Sequence, residues 1–133
     1  MRIGIDLGGT KTEAILLSPT GNEIARKRVA TPRNDYSGTV DTIVNLVREM
    51  ESRAQAPCSV GVATPGALSP ASGLIKNANS TWLNGHALNL DLEAALEQPV
   101  RIANDANCFA LSEAVDGAAT NAQVVFGAIL GTG

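Results

Sequence analysis

Ile3-Gly-Ile-Asp-Leu-Gly-Gly-Thr-Lys-Thr12 is the stretch that decides the fold, because it places a carboxylate and a glycine turn between two predicted strands. Gly8 and Gly9 allow positive φ and leave no Cβ in the way, so their backbone N–H groups can approach phosphate oxygens. Asp6, just before the turn, can hold a hydrated magnesium ion beside the same phosphates. The stretch therefore predicts a site for nucleotide phosphates.

Three residues after the glycines add groups that bind phosphate, namely the hydroxyls of Thr10 and Thr12 and the cation of Lys11. Taken alone, the stretch also fits a plain hairpin turn between two strands, and this alternative stays open. A Walker A loop does not fit, because that loop opens a helix, whereas the apolar segment 13–17 ends after a few residues at the turn-forming segment 18–22.

Composition bounds the class of protein. The chain has 133 residues, of which 44% are hydrophobic and 3% aromatic, so we expect one domain with an aliphatic core. Its net charge of −3 argues against a nucleic-acid partner. No apolar run approaches the roughly 20 residues that span a bilayer, so we expect a cytoplasmic protein with no membrane partner. Cys58 and Cys108 are predicted to be buried, reduced thiols.

Hydrophobic periodicity predicts an α/β fold. The predicted strands span 2–8, 11–18, 23–30, 59–64, 100–103 and 123–130, and the predicted helices span 36–54, 90–97 and 105–118. Three strands in succession followed by alternating helices and strands are typical of a mixed sheet with an antiparallel start.

Asp105 is the candidate general base for transfer of a phosphoryl group to a hydroxyl. It follows a predicted strand and begins a helix, which places it at the end of a sheet where α/β proteins commonly bind ligands. The alternative is a helix N-cap, a position that aspartate favours. Asn104 and Asn107 flank it with amides that suit sugar hydroxyls, and local turn and cap bonding is the alternative for both.

The segment 77–85 carries no clear period and is rich in hydrogen-bonding side chains. Trp82 lies at its centre, where it either covers an apolar sugar edge or anchors the loop in the core. Before this segment, Pro65-Gly66 forms a bend that lets backbone approach a ligand or simply ends a strand. The single histidine, His86, is expected to be exposed.

Four motifs in this order resemble the ROK family of sugar kinases and related repressors, whose fold is that of the actin-like, ribonuclease-H-like phosphotransferases. They are Asp6-Leu-Gly-Gly-Thr-Lys11, Thr64-Pro-Gly66, Asn104-Asp-Ala-Asn107 and Gly131-Thr-Gly133. The resemblance covers essentially the whole chain. Within the family, Lys76-Asn-Ala-Asn-Ser-Thr-Trp-Leu-Asn-Gly85 is similar to the bacterial fructokinase branch, also called manno(fructo)kinases.

The resemblance implies ATP-dependent phosphorylation of a hexose, with fructose and its 6-phosphate as the expected pair. The alternatives are mannose, glucose or an N-acetylhexosamine. By resemblance, Asp105 is the base, and the sugar is bound by Gly66, Asn79, Asn104 and Asp105. The expected nucleotide site comprises Asp6 with water-bound Mg²⁺, Gly8, Gly9, Thr10, Lys11, Thr12, Gly131, Thr132 and Gly133.

The resemblance also implies how the protein is organised. Residues 1–133 correspond to the N-terminal lobe of a two-lobe kinase, so we expect the chain to lack a C-terminal lobe and to be inactive by itself. The family also implies a homodimer, and no zinc-binding motif of the family occurs in this chain. A sugar-responsive repressor is the alternative of another class, and it normally carries a helix-turn-helix domain before the glycine hairpin.

Overall fold

A five-stranded mixed sheet is the centre of the computed structural model, which describes residues 1–125, without the side chain of Asp116. In chain order the elements are β1 (Arg2–Leu7), β2 (Lys11–Leu17), β3 (Glu23–Ala30), α1 (Tyr36–Ala54), β4 (Ser59–Thr64), β5 (Ala67–Leu68), β6 (Ile75–Lys76), a 3₁₀ helix (Thr81–Leu83), α2 (Leu88–Leu96), β7 (Val100–Asn104) and α3 (Asp105–Asp116).

The strand order is β3-β2-β1-β4-β7. β1 pairs antiparallel with β2, and β2 with β3, whereas β4 runs parallel to both β1 and β7. Short β5 and β6 form a separate antiparallel pair. Each parallel connection runs through a helix, because the chain must return to the same edge of the sheet before it can start a parallel strand.

The core lies between one face of the sheet and α1 and α2. On β1, Ile3, Ile5 and Leu7 point into it, as the two-residue period of a strand requires. Helix α1 contributes its buried residues, among them Ile43 and Met50. The opposite face of the sheet borders a cavity of about 750 Å³, which α3 covers in part.

Helix α1 begins and ends as its sequence predicts. Asp35 caps the N-terminus, where its Oδ1 accepts a hydrogen bond from the Gly38 amide at 2.9 Å. At the other end Gln55 adopts a left-handed conformation with φ of 49° and its amide donates to the Glu51 carbonyl. The cap at Asp35 fixes where the chain leaves β3 and enters the helix.

Thr31, just after β3, ties the turn between β1 and β2 in place. Its hydroxyl donates to the Gly8 carbonyl at 2.8 Å, and its amide donates to the Thr10 carbonyl at 3.0 Å. A hydroxyl has one proton to give, so the Thr12 hydroxyl is the donor in its 2.8 Å bond to Thr31 Oγ1. Both threonine side chains are buried.

The structure confirms the predicted fold class. Helix 36–54 and strand 59–64 have the predicted bounds, whereas α2 begins two residues earlier than predicted and α3 ends two residues earlier. The β5–β6 pair and the 3₁₀ helix were not predicted. Of the predicted strand 123–130, residues 126–130 lie outside the described residues, and 123–125 are not in a strand.

Both cysteines are free thiols, as predicted, but Cys58 and Cys108 are partly rather than fully buried. His86 is exposed and stacks on the ring of Tyr36, with 3.6 Å between ring centroids. None of the helices in residues 1–125 is long and apolar enough to cross a membrane.

Thr31→Val should lower the free energy of unfolding by about 1–3 kcal/mol, because the variant keeps the side-chain volume but leaves the Gly8 carbonyl without its donor. Chemical denaturation of the two proteins measures the difference. Thr20→Val, in an exposed turn, is the matched control. Equal losses in the two variants would show that the Thr31 hydroxyl does not hold the turn.

Candidate functional site

The candidate site lies where the parallel strands β1, β4 and β7 end at the same edge of the sheet. In register, Thr64 of β4 pairs with Asn104 of β7. The residues that follow, Pro65-Gly66 and Asp105, therefore emerge close to the turn that follows β1. The sheet itself brings together segments far apart in the chain, as is usual for ligand sites in α/β proteins.

A cavity of about 380 Å³, called the transfer cavity below, lies at this edge. It is bordered by the turn after β1, by the connection from β3 to α1, by the bend after β4 and by the segment 77–85. Its lining residues are Gly9, Thr10, Arg33, Pro65, Asn79, Ser80 and Trp82. The structure thus brings the predicted phosphate residues Gly9 and Thr10 to the same space as the predicted sugar ligand Asn79.

The segment 77–85, called the sugar loop below, is held by its own side chains. Asn84 makes two hydrogen bonds to the backbone of Ala78, accepting from its amide at 2.9 Å and donating to its carbonyl at 3.1 Å. The indole N–H of Trp82 donates to Thr39 Oγ1 at 3.2 Å. Trp82 therefore both anchors the loop and lines the cavity, while Asn79 stays exposed.

Asn104 caps α3 and also connects two parts of the site. Its Oδ1 accepts from the Asn107 amide at 3.3 Å, and its Nδ2 donates to the Gly66 carbonyl at 2.6 Å. The predicted N-cap role thus belongs to Asn104 rather than to Asp105. Asn107 takes part in this cap through its backbone amide and not through its side chain.

Gly66 has φ of 78°, and a Cβ at this position would lie 2.5 Å from the Lys76 carbonyl oxygen and 2.8 Å from the Ala78 amide nitrogen. Backbone of the bend after β4 therefore packs directly against the chain that leads into the sugar loop. Gly66 therefore contacts both segments that carry predicted sugar ligands. It accepts a hydrogen bond from Asn104, and it packs against the start of the sugar loop that contains Asn79.

Asp105 begins α3 with its side chain turned back on the helix terminus. Its Oδ1 accepts from the Ala106 amide at 2.7 Å, and no described residue donates to Oδ2. One carboxylate oxygen is therefore available to accept a proton.

Asp6 and Asp105 are electrostatic neighbours. Burial raises the pKa of Asp6, repulsion from Asp105 and Glu13 raises it further, and the nearby Arg28 guanidinium offsets part of this effect. Burial also raises the pKa of the Cys108 thiol, again with contributions from Asp105 and Asp6. Two carboxylates that repel one another form a site that a cation would stabilise.

Magnesium fits this part of the site only with few protein ligands. Within residues 1–125 no three His, Cys, Asp or Glu side chains lie close enough together to hold a metal ion. Asp6 and Asp105 supply two hard carboxylate oxygens, the ligand type that Mg²⁺ takes while it keeps several waters. This donor set agrees with the predicted contact through water at Asp6.

One reason given above for glycine at positions 8 and 9, that these positions use positive φ, is wrong. Neither Gly8 nor Gly9 has positive φ. A Cβ at Gly8 would lie 2.8 Å from the Lys11 carbonyl oxygen, and one at Gly9 would lie 3.0 Å from Ser80 Oγ. Gly8 therefore needs glycine for close packing against backbone rather than for an unusual dihedral angle, whereas a Cβ at Gly9 would require a small shift of the Ser80 side chain.

The availability of the predicted phosphate donors also differs along the turn. The Gly8 amide donates to the Lys11 carbonyl at 3.0 Å, so it is occupied. The Gly9 and Thr10 amides have no acceptor among the described residues. Thr12 is fully buried with its hydroxyl bonded to Thr31, which contradicts its predicted contact with phosphate.

Lys11 is exposed and does not line the transfer cavity. The predicted second phosphate loop, Gly131, Thr132 and Gly133, lies outside the described residues. Sequence reasoning missed Arg33, which lines the transfer cavity, and no local motif marks it.

Comparisons with known proteins agree with this architecture. The model of the ROK family matches residues 2–133. N-acetyl-D-glucosamine kinase of Pectobacterium atrosepticum is 41% identical over 133 residues, which are 100% of this chain and 44% of that protein. The chain thus spans less than half the length of this relative.

Among solved structures, the inorganic polyphosphate/ATP-glucomannokinase from Arthrobacter sp. strain KM aligns with a TM-score of 0.76 and 32% identity. The alignment covers 90% of this chain and 50% of that chain. The ROK hexokinase from Thermus thermophilus aligns with a TM-score of 0.72 and 28% identity, over 90% of this chain and 40% of that chain.

Gly66→Ala should lower the free energy of unfolding by about 1–3 kcal/mol more than Gly73→Ala does. Both glycines have positive φ, but a Cβ at Gly73 meets nothing within 4 Å, so that variant isolates the cost of the dihedral angle. Chemical denaturation gives both values. If they agree, the contact between the bend and the sugar loop can relax and does not require a glycine.

Proposed function

The chain belongs to the ROK family, and from that premise we propose that it is the first lobe of an ATP-dependent hexose kinase. The observation that carries the proposal is the transfer cavity, which the glycine turn and the sugar loop border together. Transfer of a phosphoryl group needs this arrangement, because donor and acceptor must be held in line.

Each part of the site has a role in this reaction. The Gly9 and Thr10 amides bind phosphate oxygens of ATP, and Asn79, Asn104 and the Gly66 bend orient the sugar. Asp105 accepts the proton of the sugar hydroxyl as the new O–P bond forms and the bond to ADP breaks. Asp6 would hold Mg²⁺ through water beside the phosphates of ATP, where the ion would neutralise part of their negative charge.

The proposed sugar differs from the one that the sequence favoured. The relatives described above are named for N-acetyl-D-glucosamine, for glucose and mannose, and for hexoses in general, so fructose receives no support from them. We propose N-acetyl-D-glucosamine as the preferred substrate, with glucose and mannose as alternatives. Pro65 and Trp82 support this choice, because they offer apolar surface for an acetyl methyl group beside the Asn79 amide.

Three further parts of the proposal concern the full-length protein. A second lobe supplies the adenine side of the nucleotide site and closes over the substrates, so residues 1–133 alone have no kinase activity. The protein is a homodimer, and it is cytoplasmic. Nothing in residues 1–125 favours the alternative of a sugar-responsive repressor.

Asp105→Asn in the full-length protein should lower kcat by about 10²–10⁴-fold and leave the KM for sugar within a few-fold, because loss of a general base acts on the transition state. Steady-state kinetics measures both constants. Asp41→Asn, an exposed change on α1, is the control with the same loss of charge. Near-normal turnover in Asp105→Asn would remove the residue from the base role.

A panel of hexoses tests the substrate. We expect the full-length protein to phosphorylate N-acetyl-D-glucosamine with the highest kcat/KM. The kcat/KM for fructose should be lower by about tenfold or more, because the presence or absence of one substrate group that fits a pocket changes kcat/KM by that order. A coupled assay for ADP gives the values. A preference for fructose would restore the substrate that the sugar loop suggested, and no turnover of any hexose would overturn the kinase proposal.

A further inference from the structure

Arg33 is the charged residue of the transfer cavity. The lining of the cavity contains no aspartate or glutamate among the described residues, and Arg33 is its single cation. Its side chain has no hydrogen-bond or ion-pair partner within residues 1–125. An unpaired positive charge beside open backbone amides favours an anion in this space.

Most other cations of the chain are already bound to groups of the protein. Arg26 and Arg28 form ion pairs with Glu13, and Lys27 and Arg53 form ion pairs with Glu49. Arg2 and Arg48 donate to backbone carbonyls. The remaining cations, Lys11, Lys76 and Arg101, do not line the transfer cavity. Among the described residues, Arg33 is thus the cation that both lines the transfer cavity and lacks a partner.

The backbone that carries Arg33 is fixed on both sides. Thr31 binds the glycine turn through its amide and its hydroxyl, and Pro32 then restricts φ. After Arg33, Asn34 adopts φ of 56° and Asp35 caps α1. A short connector held in this way keeps the backbone of Arg33 beside the turn, so its exposed side chain starts close to the cavity that it lines.

We propose that Arg33 binds the phosphoryl group in transit between ATP and the sugar. This inference rests on the proposed kinase function. Gly9 and Thr10 border the cavity on the nucleotide side and Asn79 borders it on the sugar side, so the terminal phosphoryl of ATP and the phosphate of the product occupy the same space. A guanidinium presents parallel N–H donors that match two phosphate oxygens and stabilises the charge on the transferred group.

Binding measurements on the full-length protein test this role. Arg33→Gln should weaken binding of ATP, of tripolyphosphate and of hexose 6-phosphate by about tenfold, the order expected for a charged hydrogen bond at an accessible position. Affinity for ADP and for free sugar should stay within about twofold of the wild type. Arg33→Lys keeps the charge without the planar fork, so its affinities for these phosphate ligands should lie between those of the wild type and of Arg33→Gln. Isothermal titration calorimetry gives all of these constants.

Arg53→Gln is the matched control, because it removes the same charge near the far end of α1, about 25 Å along the helix from Tyr36 at 1.5 Å per residue. Kinetics adds a second measurement: Arg33→Gln should lower kcat by about tenfold or more without raising the KM for sugar, since the guanidinium positions the phosphoryl group and stabilises charge on its equatorial oxygens in the transition state.

The role of Arg33 would be overturned if wild type and Arg33→Gln bound tripolyphosphate with equal affinity, or if neither protein bound it. The proposed hexose phosphorylation would still stand in that case if the wild type turned over a sugar. A wild type that phosphorylates no hexose but loses tripolyphosphate binding on Arg33→Gln would overturn the kinase proposal and keep the anion site. Weaker ADP binding in Arg33→Gln, equal to the loss for ATP, would also overturn the proposal, because it places the arginine at the wrong phosphate.

Discussion

One buried hydroxyl, that of Thr31, fixes the geometry from which the rest of the site follows. It joins the end of β3 to the Gly8 carbonyl and to the Thr12 hydroxyl, in a part of the structure where water does not replace a lost bond. The turn after β1 therefore has one position relative to β3. Because the chain continues directly from Thr31 to Arg33, the same bond also places a cation beside that turn.

A second contact joins the segments that carry the proposed sugar ligands to the helix that begins with the proposed base. Parallel pairing of β4 with β7 sets Thr64 opposite Asn104, and the Asn104 side chain then reaches the Gly66 carbonyl. Gly66 in turn leaves no room for a side chain against the strand that leads to the sugar loop. The Asn104 hydrogen bond and the close backbone packing at Gly66 thus fix these segments relative to one another, which agrees with the proposed site that holds two substrates in line.

The sequence predicts elements better than it predicts which side chains reach the site. Helix 36–54 follows from apolar spacing, and β1 follows from a two-residue period. The same period shows why Thr12 was misjudged, because it shares the buried face of β2 with Ala14 and Leu16. Glycines are ambiguous in sequence, since close packing and positive φ both select them. Arg33 gave no local signal, because its neighbours in the cavity come from other segments of the chain.

Charge is distributed unequally across the open face of the sheet, and this difference separates a structural carboxylate from a functional one. Glu13 and Asp6 are partners in register on adjacent strands. Burial alone would raise the pKa of Glu13, but hydrogen bonds from Arg28 and Arg26, together with their charges, outweigh burial and hold it below its usual range. Glu13 is therefore a compensated charge that helps to join β2 to β3.

Asp6 has the opposite balance. Its pKa is raised chiefly by burial and then by Asp105, and Arg28 offsets only part of this because its guanidinium is bound to Glu13. A carboxyl whose pKa is higher in the folded state favours folding while it is protonated, and that contribution is lost as the pH rises through the raised pKa. The fold therefore keeps two mutually repelling acidic groups, Asp6 and Asp105, at the edge where the glycine turn ends, although ionisation of Asp6 lowers the stability of the folded state. Burial and repulsion that stability does not require are typical of groups kept for chemistry, and they favour a cationic or proton-donating ligand at this edge.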